Sequence, residues 1–250
     1  MGTTMTEAVT AAPRAPARRE AARESNLFYL LQVASQAFPV GSFSHSYGFE
    51  SLIVDGYIRN ADDLGRWAAL WMRNGLATAD GAAVRLARAA ALAGDWAAIE
   101  KIDAVLTALK LGKETRAASL NTGDAFVRAV LDAFGGERLS SYGQALREGR
   151  VAGHYATAFG VGMADAGIAE REAVAAFLQS SLSSLVGVAA RIIPLGQFET
   201  QRILADARPQ LSECARIALD TPADELGTTF AILDIASMQH ERLYSRLCIS

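Results

Sequence analysis

Apolar residues recur along this chain at intervals of three and four, and nowhere over a convincing length at intervals of two. Leu27, Leu30, Leu31 and Ala34 fall on one helical face, and order is expected to begin at Leu27. The stretch from Ala37 to Gly48 loses periodicity around Pro39 and Gly41 and reads as turn-rich. Asn60 followed by Asp62 and Asp63 predicts a helix start, with a side-chain cap and acids at the positive end of the helix dipole. Leu64, Trp67, Ala68, Trp71 and Gly75 continue that helix, and Gly75 leaves room for close approach of another. A second helix carries Val84, Ala87 and Ala91 inward and stops at Gly94. Asp95 caps a third, with Trp96, Ile99, Ile102, Leu106 and Leu109 inside. A fourth begins near Glu114, lines its face with Ala117, Leu120, Val127, Leu131 and Phe134, and ends at Gly135-Gly136.

Between Leu139 and Gly167 glycines blur the boundaries, although Tyr155, Ala158, Phe159 and Gly162 suggest a helix with a slim face. The clearest stripe is Val174, Phe177, Leu178, Ser181, Leu185, Val188 and Ile192. Pro194 lacks a backbone donor and must kink or restart that helix. Further helices are expected over Leu195–Ala205, Gln210–Leu219 and after Pro222. No hairpin signal and no fixed-period repeat stands out. The pattern is that of an all-α, single-domain multi-helix bundle.

Residues 1–24 show no periodic apolar face and read as a disordered tail, leaving 25–250 as the helical domain. Arg14, Arg18, Arg19 and Arg23 make the tail basic, but Glu7, Glu20 and Glu24 argue against a transit peptide. It holds no apolar core of a secretory signal, and Arg191 interrupts the apolar run Leu185–Ile193 well short of the ~20 residues that span a bilayer. With two isolated cysteines, Cys214 and Cys248, a reduced, cytoplasmic setting without membrane contact is expected. The 24 basic and 27 acidic residues nearly balance, which excludes nucleic acid as a principal partner.

The search for chemistry finds no nucleotide-binding loop, since Gly41–Gly48 lacks the Gly-Lys-Ser/Thr ending. There is no paired cysteine motif, no zinc-protease helix and no nucleophile elbow. His45, His154 and His240 lie far apart, without the local pair that a tight metal site usually shows. Each reads first as a hydrogen-bonded structural residue, although His240 sits in a charged stretch that a partner could reach. Ser42, Ser44 and Ser46 around His45 read as a hydrogen-bonded turn rather than a nucleophile. Arg191 reads as a snorkelling or structural charge ahead of an arginine finger acting on a partner's nucleotide.

Three segments carry a resemblance: Leu30–Glu50 (LLQVASQAFPVGSFSHSYGFE), Ala190–Gln197 (ARIIPLGQ) and Asp234–Leu247 (DIASMQHERLYSRL). Together, and with His154–Gly160 (HYATAFG), they resemble the urease accessory protein UreF family from about Leu27 onward. The resemblance implies an all-helical, generally dimeric protein without turnover of its own. It implies an adaptor that joins UreD/UreH and the GTPase UreG for GTP-dependent insertion of nickel into apo-urease. The alternative it leaves is a regulator of UreG GTPase activity acting in trans, through Arg191 or a carboxylate such as Glu50. No cofactor is implied beyond nickel in transit.

Pro39, Gly41, Ser42, Phe43, Ser44 and Gly48 match the first motif as turn-setting residues, and Glu50 matches it as a candidate charged contact. Arg191, Pro194, Leu195, Gly196 and Gln197 match the second. His240, Glu241, Tyr244, Ser245, Arg246 and Leu247 match the third. In the family this C-terminal tail takes part in docking UreD/UreH. Tyr244 and Leu247 are expected as apolar anchors and Arg246 as a charge-assisted hydrogen bond, on a segment, about 237–250, that is mobile until bound. His45 stands where the family often has Tyr, and Phe49 where it often has Leu. The ending Leu247-Cys248-Ile249-Ser250 replaces the family's frequent Phe-Arg before the last Ser. Cys248 is expected to be an exposed thiol on a free tail, and with His240 a weak candidate for touching nickel.

Overall fold

The computed structural model describes residues 15–248, with the side chains of residues 15–22 and of Phe43 outside the description. The first fourteen residues of the expected tail therefore lie outside the described residues, and the backbone is already helical from Ala15. In chain order the helices are α1 (Ala15–Val33), α2 (Phe49–Val54), α3 (Ala61–Trp71), α4 (Ala82–Ala93), α5 (Trp96–Leu109) and α6 (Lys113–Phe134). They continue with α7 (Glu137–Arg147), α8 (Tyr155–Asp165), α9 (Glu170–Ile192), α10 (Gln197–Asp206), α11 (Arg208–Asp220) and α12 (Ala231–His240). Short 3₁₀ turns occupy Ser42–Ser44 and Ala223–Glu225, and no β-strand occurs among the described residues.

The local signals act where they were read. Asn60 accepts the Asp63 amide at 2.9 Å and starts α3, and Asp95 accepts the Ala98 amide at 3.0 Å and starts α5. Gly94 and Gly135 end α4 and α6 with positive φ. The helix expected through Gly75 and the second helix carrying Val84, Ala87 and Ala91 are not separate. A π-helical stretch, Met72–Gly81, joins α3 to α4 without a break.

The buried centre is α8, whose residues from Tyr155 to Ala164 are all inside. Small residues let its neighbours close on it. A methyl group added at Gly160 would lie 2.4 Å from the Val84 carbonyl oxygen of α4. Phe126, Tyr155, Phe159 and Phe177 bring rings from α6, α8 and α9 into edge and tilted contacts, with centroids 5.3 to 5.7 Å apart. The predicted α9 stripe is buried from Val174 to Val188, and α9 lies against α4, α11 and the π-helical stretch. By length and composition alone this helix is apolar enough to cross a membrane, but here it forms a wall of the core.

The face predicted for α6 is rotated. Ala117 and Phe134 are exposed, whereas Ala118, Thr122, Gly123, Phe126 and Val130 are buried beside Val127. Gly123 shows why, because a methyl group there would sit 2.0 Å from the Gly153 carbonyl oxygen. Gly123→Ala is expected to force backbone apart and to destabilise the fold by about 3 kcal/mol, the upper range for overpacking, read as a lower denaturant midpoint.

Gly153 belongs to a loop folded around one buried carboxylate. Asp103 is fully buried and accepts the amides of Ala152 at 2.6 Å, Gly153 at 2.9 Å and His154 at 3.0 Å, and the Tyr142 hydroxyl at 3.2 Å. The His154 ring, also fully buried, lies between Thr107 at 2.9 Å and Ser119 at 3.0 Å. Burial, and after it the Lys110 charge, lowers its pKa from the ordinary 6.5 to about 4. The unfolded chain therefore takes up this proton at a higher pH than the native one. Above pH 6.5 the contribution is constant, and it falls as pH drops from 6.5 to about 4. The loss amounts to about 3 kcal/mol in all. A His154→Asn variant is expected to lack this part of the acid sensitivity in urea titrations at pH 7 and pH 4.5.

Candidate functional site

The first and third sequence motifs meet at the C-terminal arm, residues 226–248. The arm first runs along the π-helical stretch, where the Thr229 amide donates to Asn74 carbonyl at 2.8 Å and Thr78 Oγ1 to Gly227 carbonyl at 2.7 Å. Helix α12 then seats on α2 and α6. Two glycines make the seat: an added methyl would lie 2.9 Å from the Leu233 carbonyl oxygen at Gly48, and 2.6 Å from Ser237 Oγ at Gly112. The hydroxyls of Thr115 and Ser237 hydrogen-bond across the joint.

Where α12 ends, His240 is completely buried between two carboxylates. Its Nε2 lies 2.9 Å from Glu50 Oε2 and its Nδ1 2.6 Å from Glu114 Oε2. Ionised carboxylates only accept hydrogen bonds, so both contacts are satisfied together when both ring nitrogens carry protons. Glu50, at the first turn of α2, also accepts the Leu247 amide at 2.7 Å and the Cys248 amide at 3.0 Å. Glu114, at the first turn of α6, holds Arg246 at 2.7 Å. Each carboxylate thus sits at the positive end of a helix dipole and grips both α12 and the segment after it.

This arrangement bears on five expectations. Glu50 is not a surface contact but an interior clamp. His240 is beyond a partner's reach, and both its ring nitrogens are engaged. Among the described residues no group of three His, Cys, Asp or Glu side chains is placed to hold a metal ion. Cys248 is buried rather than exposed, and burial followed by the Glu50 charge raises its thiol pKa. The segment expected to be mobile is tied to the body up to Cys248 by groups almost two hundred residues away in sequence. Glu114 was missed. Its position in a helix's first turn gives an acid a local reason to be there and conceals the distant one.

Other motif residues shape the surroundings. Gly41 turns the chain with φ 77°, Ser44 Oγ donates to its carbonyl at 2.9 Å, and Ser42 Oγ meets Ser184 Oγ of α9 at 3.2 Å. Pro39 is exposed just before this turn. His45 is buried with Nδ1 unpartnered among the described residues, and burial lowers its pKa. Arg191 is exposed at the last turn of α9, and its charge reaches the Cys248 thiol. After Pro194, Gly196 donates to Glu199 Oε2 at 2.8 Å and Gln197 opens α10. After α12 the exposed residues are Glu241, Arg242, Tyr244, Ser245, Arg246 and Leu247, with Tyr244 fully exposed and Leu247 70% exposed. Ile232, Ile235 and Met238 form an outward stripe on α12, opposite its buried Leu233, Ala236 and His240.

A sequence model of the UreF family matches residues 58–208. The urease accessory protein UreF of Bacillus sp. (strain TB-90) is 32% identical over 226 residues, covering 90% of this chain and all of that protein. The chain belongs to the UreF family. Further UreF relatives agree over similar lengths: that of Paenarthrobacter aurescens (strain TC1) is 33% identical over 88% of this chain and 96% of its own length. That of Geobacillus kaustophilus (strain HTA426) is 33% identical over 91% and 99%. This UreF-family chain is therefore a urease accessory protein and not an enzyme. Its Arg191–Gln197 motif lies within the family match, while the clamp residues Glu50 and His240 lie on segments flanking it.

Proposed function

We propose that this UreF-family chain is the adaptor that joins UreD/UreH to the GTPase UreG while nickel is inserted into apo-urease. The observation that supports this reading is the clamped arm. Burying His240 and Glu50 and pinning the amides of Leu247 and Cys248 costs desolvation, yet the result leaves Tyr244 and Leu247 pointing outward. A surface that is held rigid loses less conformational entropy when a partner docks. Tyrosine is among the residue types that dominate interface energies. Arg246 contributes by fixing the arm to Glu114 rather than by reaching outward. The clamp also favours the adaptor over direct help to GTP hydrolysis, because the carboxylate of Glu50 is enclosed and already saturated by three donors.

The test is co-purification of the full chain with UreD/UreH and UreG, beside a chain ending at His240. A ternary complex with the full chain and none with the shortened one is expected. Equal recovery of both would remove the arm from the interface, and no complex with either would remove the adaptor reading.

A further inference from the structure

Beneath the arm lies a cavity of about 100 Å³. It is floored by the π-helical stretch and α5, walled by α6, α8 and α9, and closed by α12. One water needs only ~10–15 Å³ of such space, so the cavity has room for a small molecule. Three of its hydroxyl side chains, Thr122, Ser181 and Tyr155, are more than nine-tenths buried. Among the described residues their hydroxyls make no hydrogen bond, and their oxygens open onto the cavity instead of being sealed in protein. Buried hydroxyls without partners are costly, so their shared place in one cavity lining points to something that fills the space.

The charges choose the occupant. Lys110 and Asp80 face each other across the cavity wall at 2.8 and 3.0 Å and satisfy one another. Asp234 of α12 also lines the cavity, and its carboxylate has no hydrogen bond or ion pair among the described residues. Burial raises its pKa, and the Lys110 charge pulls it part of the way back. Tyr47 stacks on Trp71 at 5.4 Å, and Phe230 adds a further ring to the lining. Two carboxylates, Asp80 and Asp234, against the one ammonium of Lys110 leave the lining with a net negative charge, and with its hydroxyl acceptors and aromatic walls this suits a cation with an apolar body. A divalent metal finds no set of three ligands here.

We propose that this cavity is a binding site for a small organic ammonium ion, whose N–H groups bond Asp234 and the Ser181 and Thr122 hydroxyls. Because Asp234 lies on α12 and the hydroxyls on α6 and α9, the ligand ties the arm to the body. The proposal does not depend on which partners the arm engages.

Titration of the full chain with n-propylammonium chloride tests it, followed by calorimetry and by hydrogen exchange of the amides from Phe230 to Ser237. Expected are saturable binding, slower exchange in that segment, and an affinity at least tenfold weaker in Asp234→Asn. Ser181→Ala removes one acceptor from the middle of a stable helix and is expected to weaken binding severalfold, which keeps the test valid if the Asp234 variant folds poorly. Equal concentrations of 1-propanol or KCl are expected to give no saturable signal. The proposal is overturned if propylammonium does not saturate, if both variants bind as the parent does, or if 1-propanol or KCl matches it.

Discussion

Asp103→Ala is expected to remove most of the stability of this protein. The substitution leaves the amides of Ala152, Gly153 and His154 and the Tyr142 hydroxyl without an acceptor, and of these Gly153, His154 and Tyr142 are buried while Ala152 is exposed. An orphaned buried donor costs about 1–3 kcal/mol, so the three buried ones together cost about 3–9 kcal/mol. Native domains are stable by only about 5–15 kcal/mol. Asp103→Asn is expected to be little better. Oδ2 accepts from Ala152 and Gly153 while Oδ1 accepts from His154 and Tyr142, so either orientation of an amide turns its NH₂ toward donors. Urea unfolding of both variants reads the effect. A midpoint within error of the parent would mean that the loop holds its shape without the carboxylate.

His240→Ala is the second large effect, and it separates the arm from the body. Without the imidazole, buried Glu50 and half-buried Glu114 lose the group between them, and a void opens at the end of α12. Leaving the buried Glu50 carboxylate without one of its donors costs about 1–3 kcal/mol or more. Because the damage lies at the end of the chain, the arm is expected to detach before the core unfolds. Hydrogen exchange is expected to show loss of protection at Leu247 and Cys248, with the amides of α8 still protected. Uniform loss across α8 and the arm would mean that the clamp is part of one cooperative unit. Unchanged protection at Leu247 would mean that Glu50 does not hold the arm.

The contrast between the clamp and the helices shows what was legible in the chain. Asn60 and Asp95 act on amides three residues away, so their capping roles are readable at a glance. The α9 stripe is readable because its neighbours bury large apolar side chains on one face. The inner face of α6 is not, because Ala118, Thr122 and Gly123 are buried for their small size and not for their hydrophobicity. Glu50 and His240 stand out as motif residues, but their burial depends on meeting each other across 190 positions. No local rule places a charged pair indoors, and the polar context of His240 argued for the surface. Asp103 and Glu114 look like ordinary helix acids until the loop and the arm fold back onto them.

The proposed adaptor role requires the clamp to present Tyr244 and Leu247 to a partner. The most direct measurement is the equilibrium affinity of UreD/UreH for the full chain and for the Tyr244→Ala/Leu247→Ala double variant. Both side chains are exposed, so the unfolding midpoint of the variant is expected to match that of the parent. Loss of interface anchors worth about 2 kcal/mol or more weakens binding by about thirtyfold or more. That weakening, at unchanged stability, is the predicted result. An affinity equal to the parent's would contradict the claim and place the docking surface elsewhere on the helical body.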